Sequence, residues 1–465
     1  MGNLGRSSSP HAQAWGAGSG TGPEARLRRY LPTLDDIERR ARRRIPRFAF
    51  DFLEGGTGND LNTLRNRQAL DAVQLVPRYG MPAPIRTETK LFGISCAVPI
   101  GISPVGVDGI VWPGATRIFA AAAGKLRIPY IAGTLATAAI EEVAQLAGPY
   151  GWFQLYGLPA DDHSVTFDLV KRAGAAGVHV LAATLDAPVR SKRPRDLRNG
   201  LVVPFRPTAK TLFDVASSPL WLLALARSGT PAFRNMERYV EKPATLAKTA
   251  GFVQSQIKGT FSWDSVKRIR DAWSGALVVK GVLHPADAEQ AIAVGVDGIL
   301  VSNHGGRQLD AAPAAIDVLP AIAATVGTRA TVLFDSGIRS GLDVARAITL
   351  GARGTFAGRA FLLGLGALGE RGAGYVAGLL KEELETAMGQ LGAPSLDALP
   401  QLTFRHRDAF DFTRMRKAKR RAPCRSAGQG RILLAPQLLR PPGKSRDSAG
   451  SRQISHRFKI VVQRR

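Results

Sequence analysis

The chain has 465 residues, 45% of them apolar, a formal net charge of +26 and two cysteines. The apolar share is enough for a large buried core and excludes a wholly disordered protein. Two cysteines, Cys96 and Cys424, exclude a disulfide framework and make a reducing compartment the expectation.

The first 23 residues are rich in Gly and Ser and have no apolar stretch of a secretory signal. Residues 1–32 are expected to form a disordered extension. Leu34–Arg44 is expected to be a helix, with Asp35, Asp36 and Glu38 early and Arg42–Arg44 late, as the helix dipole prefers. A second helix is expected to start near Pro46 and to end at Gly55-Gly56. Eight apolar runs follow: Ala97–Pro104, Pro129–Leu135, Gly151–Tyr156, His179–Asp186, Ala276–Lys280, Gly298–His304, Ala330–Asp335 and Gly354–Arg359. They are nearly continuous rather than alternating, which marks parallel strands buried on both faces. Segments such as Thr116–Leu126, Ser164–Ala176, Ser262–Trp273, Pro285–Val294 and Gly341–Leu350 are long enough for covering helices. The fold class predicted is α/β, a TIM (β/α)8 barrel over residues 33–412, with an N-terminal helical cap. No apolar run approaches the roughly 18–20 residues of a membrane-spanning helix.

The connection between Asp186 and Ala276 is far longer than an ordinary βα loop. It holds a basic stretch, Arg190–Arg198, and the apolar patch Leu220–Leu225. The patch reads as a lid or subunit contact, or as a membrane-surface anchor. Most of the positive charge lies at the chain ends: residues 405–465 carry a net +15 and residues 1–47 a net +6. Residues 413–465 are expected to form a basic, disordered, low-complexity tail. Its basic run has no interleaved aromatics, so the stacking half of a nucleic-acid signature is missing.

In such barrels the active site lies at the C-terminal ends of the strands. Those ends carry Gln154 and Tyr156, Thr184 and Asp186, Lys280, Ser302-Asn303-His304, Asp335, and Gly358-Arg359. His304 can act as a base near neutral pH, with a carboxylate such as Asp186 orienting its ring. Gly305-Gly306 lets backbone approach a ligand. Arg193 and Arg307 together point to an anionic ligand. The turns at Asp335–Arg339 and Gly358-Arg359 occupy the usual phosphate-binding region of these barrels. No cluster has metal-ligand spacing, so no metal is expected.

Ser302-Asn303-His304-Gly305-Gly306-Arg307-Gln308 resembles the active-site signature of the FMN-dependent α-hydroxy acid dehydrogenases and oxidases. Phe153–Tyr156, Thr184-x-Asp186, Val278–Gly281, Asp335-x-Gly337-x-Arg339 and Gly358-Arg359 match in order, and Leu34–Arg78 resembles the family's helical cap. The resemblance implies FMN as cofactor. It places Pro104, Val105 and Gly106 against the flavin, and Gln154, Thr184, Lys280 and Ser302 on its isoalloxazine and ribityl groups. It places Asp335, Gly337, Arg339, Gly358 and Arg359 on the ribityl chain and phosphate. It makes Tyr156, Arg193 and Arg307 the substrate-binding residues. His304 is then the catalytic base, with Asp186 and Tyr156 beside it. The flavin receives a hydride or its equivalent through a carbanion; both routes stay open.

The implied reaction is oxidation of an (S)-2-hydroxy acid such as lactate, mandelate or glycolate to the 2-oxo acid. The electron acceptor is a quinone, a cytochrome or oxygen. Ser103–Gly114 most resembles the mandelate-dehydrogenase-like branch, where a Gly at position 106 goes with slow reaction with oxygen. A dehydrogenase is therefore expected over a peroxide-producing oxidase. The family also implies a homo-oligomer, a tetramer, and a cytoplasmic protein that touches the inner membrane where its long loop serves as an anchor. The rival readings are another FMN barrel enzyme, a noncatalytic flavin carrier, and a nucleic-acid-binding protein with a relic barrel. Four departures stand out. Phe52 replaces the family's usual Tyr, Gly133 a frequent Ser, and Ser336 a common Gly. Leu135 stands where some members have a Trp, which widens the pocket.

Overall fold

The computed structural model describes residues 22–80, 84–189, 191–201, 208–256, 259, 261–410 and 412. Eight strands form the barrel: β1 (Ile100–Ile102), β2 (Tyr130–Ala132), β3 (Gly151–Tyr156), β4 (Val180–Thr184), β5 (Ala276–Val282), β6 (Gly298–Val301), β7 (Thr331–Phe334) and β8 (Gly354–Ala357). All neighbours are parallel, and β8 pairs with β1 to close the ring. Each strand lies inside or on one of the eight apolar runs. The polar residues that end those runs mostly fall just past the strands, in the loops that line the mouth.

A second, smaller core fills the barrel interior. Trp152, Val180, Ala182, Val278, Leu300, Leu333 and Phe356 pack there against Leu91 and Cys96. Those two belong to a hairpin (Thr89–Leu91 with Ile94–Cys96), and Phe92 at its turn packs edge-on against Trp152. The hairpin stoppers one end of the barrel, so the cavity opens at the other.

The cap is built from Leu34–Arg42, Arg47–Glu54 and Leu61–Ala72. Thr33 and Asp36 form a capping box at the first of these, and Leu34, Ile37 and Ala41 make its buried stripe. The second begins after Pro46 and ends at Gly55. The N-terminal extension differs from expectation. Pro23–Tyr30 is helical, Leu31 is buried, and Arg28 pairs with Glu382. An apolar contact and an ion pair on the long helix Gly372–Leu391 hold this part in place; the rest of the extension lies outside the described residues.

The long connection folds into Pro194–Arg198, Ala209–Ala216, Pro219–Ser228 and Leu246–Gln256. Its apolar patch is two-sided. Trp221 is only 5% exposed, donates from Nε1 to the Ile110 carbonyl at 3.2 Å, and meets Phe48 edge-on. Leu220, Leu222 and Leu223 stay exposed, as do Leu212 and Phe213 on the preceding helix. The basic tail lies outside the described residues.

Candidate active site

The loops after the strands surround one large cavity of about 1880 Å³. Its floor is a row of buried polar side chains from neighbouring strands. Gln154 on β3 donates from Nε2 to Thr184 Oγ1 on β4 at 2.9 Å. Lys280 on β5 donates to Ser302 Oγ just past β6 at 2.7 Å and lies 3.4 Å from Asp335 past β7. Burial alone would push the Lys280 ammonium down. The Asp335 and Asp186 carboxylates outweigh it and hold the pKa above the ordinary value. The site therefore keeps a fixed, buried positive charge.

His304 sits in the turn after β6 with a left-handed φ of +58°. Its Nδ1 is 2.9 Å from Asp186 Oδ1 and its Nε2 is 3.4 Å from the Tyr156 hydroxyl. A carboxylate only accepts, so Nδ1 carries the proton and Nε2 presents its lone pair toward the cavity. Burial pushes the His304 pKa down, Asp186 pushes it up and Lys280 pushes it down again, with a net depression. Burial would raise the Asp186 carboxyl, but His304 and Lys280 hold it below the usual range. The pair thus holds Asp186 as the acceptor of the Nδ1 proton and leaves His304 Nε2 free to take up a proton.

Arg307 lies three residues beyond His304. Its Nη1 donates to the Phe52 and Gly55 carbonyls, each at 2.7 Å, and its guanidinium stacks 5.0 Å from the Phe52 ring. Burial, with Arg193 and Arg359 nearby, drives its pKa well down. Arg193 lines the same cavity and stands 4.0 Å from Asp196. Guanidiniums crowded together in this way favour an anion between them.

At the β7–β8 side, Arg339 pairs with Glu38 and Asp35 on the cap. Arg359 donates to Leu53 and Gly305 carbonyls at 3.0 and 2.7 Å. Gly337 and Gly358 line the cavity beside them, and Pro104, Val105 and Gly106 line it from the loop after β1. Gly305 and Gly306 serve a purpose the sequence did not indicate. A Cβ on Gly305 would fall 2.7 Å from Arg359 Nη1, and one on Gly306 would fall 2.7 Å from Thr63 N. They admit the protein's own cap and arginine, and Gly305 also lines the cavity.

Three contributors escaped the sequence reading. Asn66 on the cap and Asn303 exchange amide hydrogen bonds at 2.9 and 2.6 Å, clamping the cap to the His304 turn. Ser336 carries φ +87°. Its hydroxyl accepts from Asn303 N and Gly305 N and donates to Asp335 Oδ1, which offsets the cost of that backbone. Gly281 leaves room for Asp186. Only Ser336, where a Gly is common, left a visible signal.

The FMN-dependent dehydrogenase family model matches residues 41–406. The L-lactate dehydrogenase of Pseudomonas syringae pv. syringae (strain B728a) is 38% identical over 372 residues, covering 79% of this chain and 97% of that protein. The L-lactate dehydrogenase of Caulobacter vibrioides (strain NA1000 / CB15N) is 38% identical over 364 residues, 78% of this chain and 94% of that protein. Among solved structures, the monotopic membrane protein (S)-mandelate dehydrogenase superposes with a TM-score of 0.76 at 33% identity, covering 81% of this chain and 99% of that one. Mandelate oxidase superposes with a TM-score of 0.67 at 34% identity, covering 80% and 98%. The match spans the whole barrel and most of its cap, and the chain belongs to the FMN-dependent dehydrogenase family.

Proposed function

We propose that the protein oxidises an (S)-2-hydroxy acid to the 2-oxo acid. The observation that carries this is His304, held by Asp186 and Tyr156 in the same cavity as the guanidiniums of Arg193 and Arg307. The residues present fit FMN. Gln154, Thr184, Lys280 and Ser302 offer a row of buried donors and acceptors to the edge of a flat heterocycle, with Pro104, Val105 and Gly106 supplying the backbone opposite. Asp335, Gly337, Arg339, Gly358 and Arg359 offer hydroxyl-binding and cationic groups to a ribityl phosphate. When bound, FMN supplies a two-electron acceptor.

Arg193, Arg307 and Tyr156 bind the substrate carboxylate and orient Cα. His304 Nε2 takes the hydroxyl proton. The electron pair left on oxygen forms the carbonyl, and the Cα hydrogen with its two electrons would be taken up by bound FMN. Asp186 stabilises the imidazolium that forms. Lys280 keeps a positive charge where negative charge accumulates. Gly106 supports a dehydrogenase that passes electrons to a quinone or cytochrome. The exposed Leu212, Phe213, Leu220, Leu222 and Leu223 support a peripheral contact with the cytoplasmic face of the inner membrane.

The test is an anaerobic visible spectrum of the FMN-loaded protein before and after adding (S)-lactate, glycolate or (S)-mandelate. Bleaching of the flavin band near about 450 nm is expected, with slow recovery in air. In His304→Ala the flavin is retained and is not reduced. Normal reduction in that variant would remove His304 from the mechanism.

A further inference from the structure

The cavity is larger than a cofactor and a three-carbon acid require. It measures about 1880 Å³, against roughly 300–1,000 Å³ for a pocket that takes one drug-sized ligand. FMN is one such ligand, and lactate adds only a few atoms. The surplus has an apolar wall, built by Ile110, Leu135, Val215, Phe233, Ala250 and Val253.

This wall begins beside the proposed reacting centre. Val107 N donates to the Leu135 carbonyl at 2.8 Å, and a Cβ on Gly106 would lie 3.4 Å from Leu135 Cβ. From there the wall runs onto the long connection. Ala250 and Val253, one helical turn apart, present adjacent side chains from Leu246–Gln256. Ile110 is fixed in place because its carbonyl holds Trp221 Nε1. Val215, Phe233, Ile110 and Leu135 are half-buried; they pack on the core on one side and meet the cavity on the other. An apolar wall of this kind is stabilised by an apolar ligand.

We propose that the preferred substrate is a 2-hydroxy acid with an extended apolar side chain, which lies along this wall while its carboxylate meets Arg193 and Arg307. The proposal rests on the reading of the site as a 2-hydroxy-acid oxidoreductase and specifies its substrate class.

The test is a chain-length series on the FMN-loaded protein: (S)-lactate, (S)-2-hydroxybutyrate, (S)-2-hydroxyhexanoate and (S)-2-hydroxyoctanoate, each followed by flavin reduction. Affinity is expected to rise about fourfold for each methylene that becomes buried. Calorimetric titration with butanoate, hexanoate and octanoate, which carry no hydroxyl to oxidise, is expected to show the same slope. Val253→Trp is expected to lower the octanoate-to-butanoate affinity ratio at least tenfold, with Ala250→Phe as a second obstruction. A flat series in both measurements would overturn the proposal and assign the apolar arm to another ligand, such as an apolar electron acceptor. Reduction by none of the acids would instead overturn the functional reading, and the alkanoate titration would still decide whether the arm takes an acyl chain.

Discussion

Gly281 and Asp186 compete for the same space. A methyl group on Gly281 would fall 2.5 Å from Asp186 Cβ and closer still to its Cγ. Gly281 also has φ +98° and sits in the irregularity where β5 shifts register against β6. One small residue thus turns Lys280 inward and lets Asp186 reach His304. In Gly281→Ala, the backbone strain costs about 1–2 kcal/mol of stability, and displacement of Asp186 slows substrate reduction of the flavin by about 10²-fold. Thermal unfolding and stopped-flow reduction read the two effects separately. A wild-type reduction rate would show that Asp186 does not need this position.

The His304 pair sets a pH dependence with a definite sign. Its pKa is depressed below the ordinary 6.5, so kcat/KM is expected to fall on the acid side with a midpoint below that value. Asp186 is the principal group that raises it. Asp186→Asn therefore moves the midpoint further toward acid while lowering kcat by about 10²–10⁴-fold. Stability follows the same group. The unfolded imidazole takes its proton near 6.5 and the folded one only at lower pH, so stability is lost as pH falls between the two values. An acid limb that moves upward in Asp186→Asn would contradict the charge assignment.

The barrel was legible because parallel strands buried on both faces must be apolar runs; seven of the eight runs contain their strands, and the fifth strand, Ala276–Val282, continues two residues past its run. The polar rim of the cavity was legible because polar side chains closed those runs. Side-chain partnerships across the chain were not legible. Asn66 looks like any polar residue on a cap helix, and its meaning depends on Asn303, 237 positions away. The Leu220–Leu225 patch gave no sign of which face turns inward, since an all-apolar segment has no amphipathic stripe; the structure shows that Trp221 is core, through its burial, its contact with Phe48 and its bond to Ile110. Nor does a sequence reveal that a cap helix and an arginine approach Gly305-Gly306.

Phe52 places a ring without a hydroxyl 5.0 Å from the Arg307 guanidinium. A Tyr at this position adds a donor at the anion end of the cavity. A hydrogen bond to a charged group contributes about 1.5–3 kcal/mol, so Phe52→Tyr is expected to lower KM for a 2-hydroxy acid about tenfold or more with little change in kcat. Titration of the reduced-flavin fraction against substrate measures it. An unchanged KM would mean that Arg193 and Arg307 already satisfy the carboxylate.

Leu212 and Phe213 are 64% and 71% exposed on adjacent positions of a short helix, and Lys210 follows its first residue. Apolar surface rimmed by a cation suits the interface of an anionic bilayer. Cosedimentation with vesicles containing phosphatidylglycerol is expected for the wild type. It is expected to drop at least tenfold in Leu212→Glu/Phe213→Glu, with flavin reduction by soluble substrate preserved. Equal binding by the double variant would remove this helix as the contact.

Asp108 anchors the loop that carries Gly106 and does so without a counter-charge. It is 1% exposed, and its carboxyl accepts from Thr116 Oγ1 at 2.8 and 2.7 Å and from Thr137 Oγ1 at 2.8 Å; among the described residues no cation acts on it strongly. Burial raises its pKa above the ordinary 3.8, and the threonine bonds only partly offset this. The unfolded chain therefore gives up this proton at lower pH than the folded one. Stability is greatest below the unfolded pKa and declines as pH rises to the folded pKa. Asp108→Asn keeps the shape and hydrogen-bonding capacity of the neutral acid and removes the titration. It is expected to stabilise the fold by about 1–3 kcal/mol at neutral pH, with the gain shrinking as the pH falls toward 4. Urea unfolding at a series of pH values measures that difference. A loss of stability that is the same at every pH would show instead that the threonines require a carboxylate, and that the loop beside Gly106 is held by a buried charge.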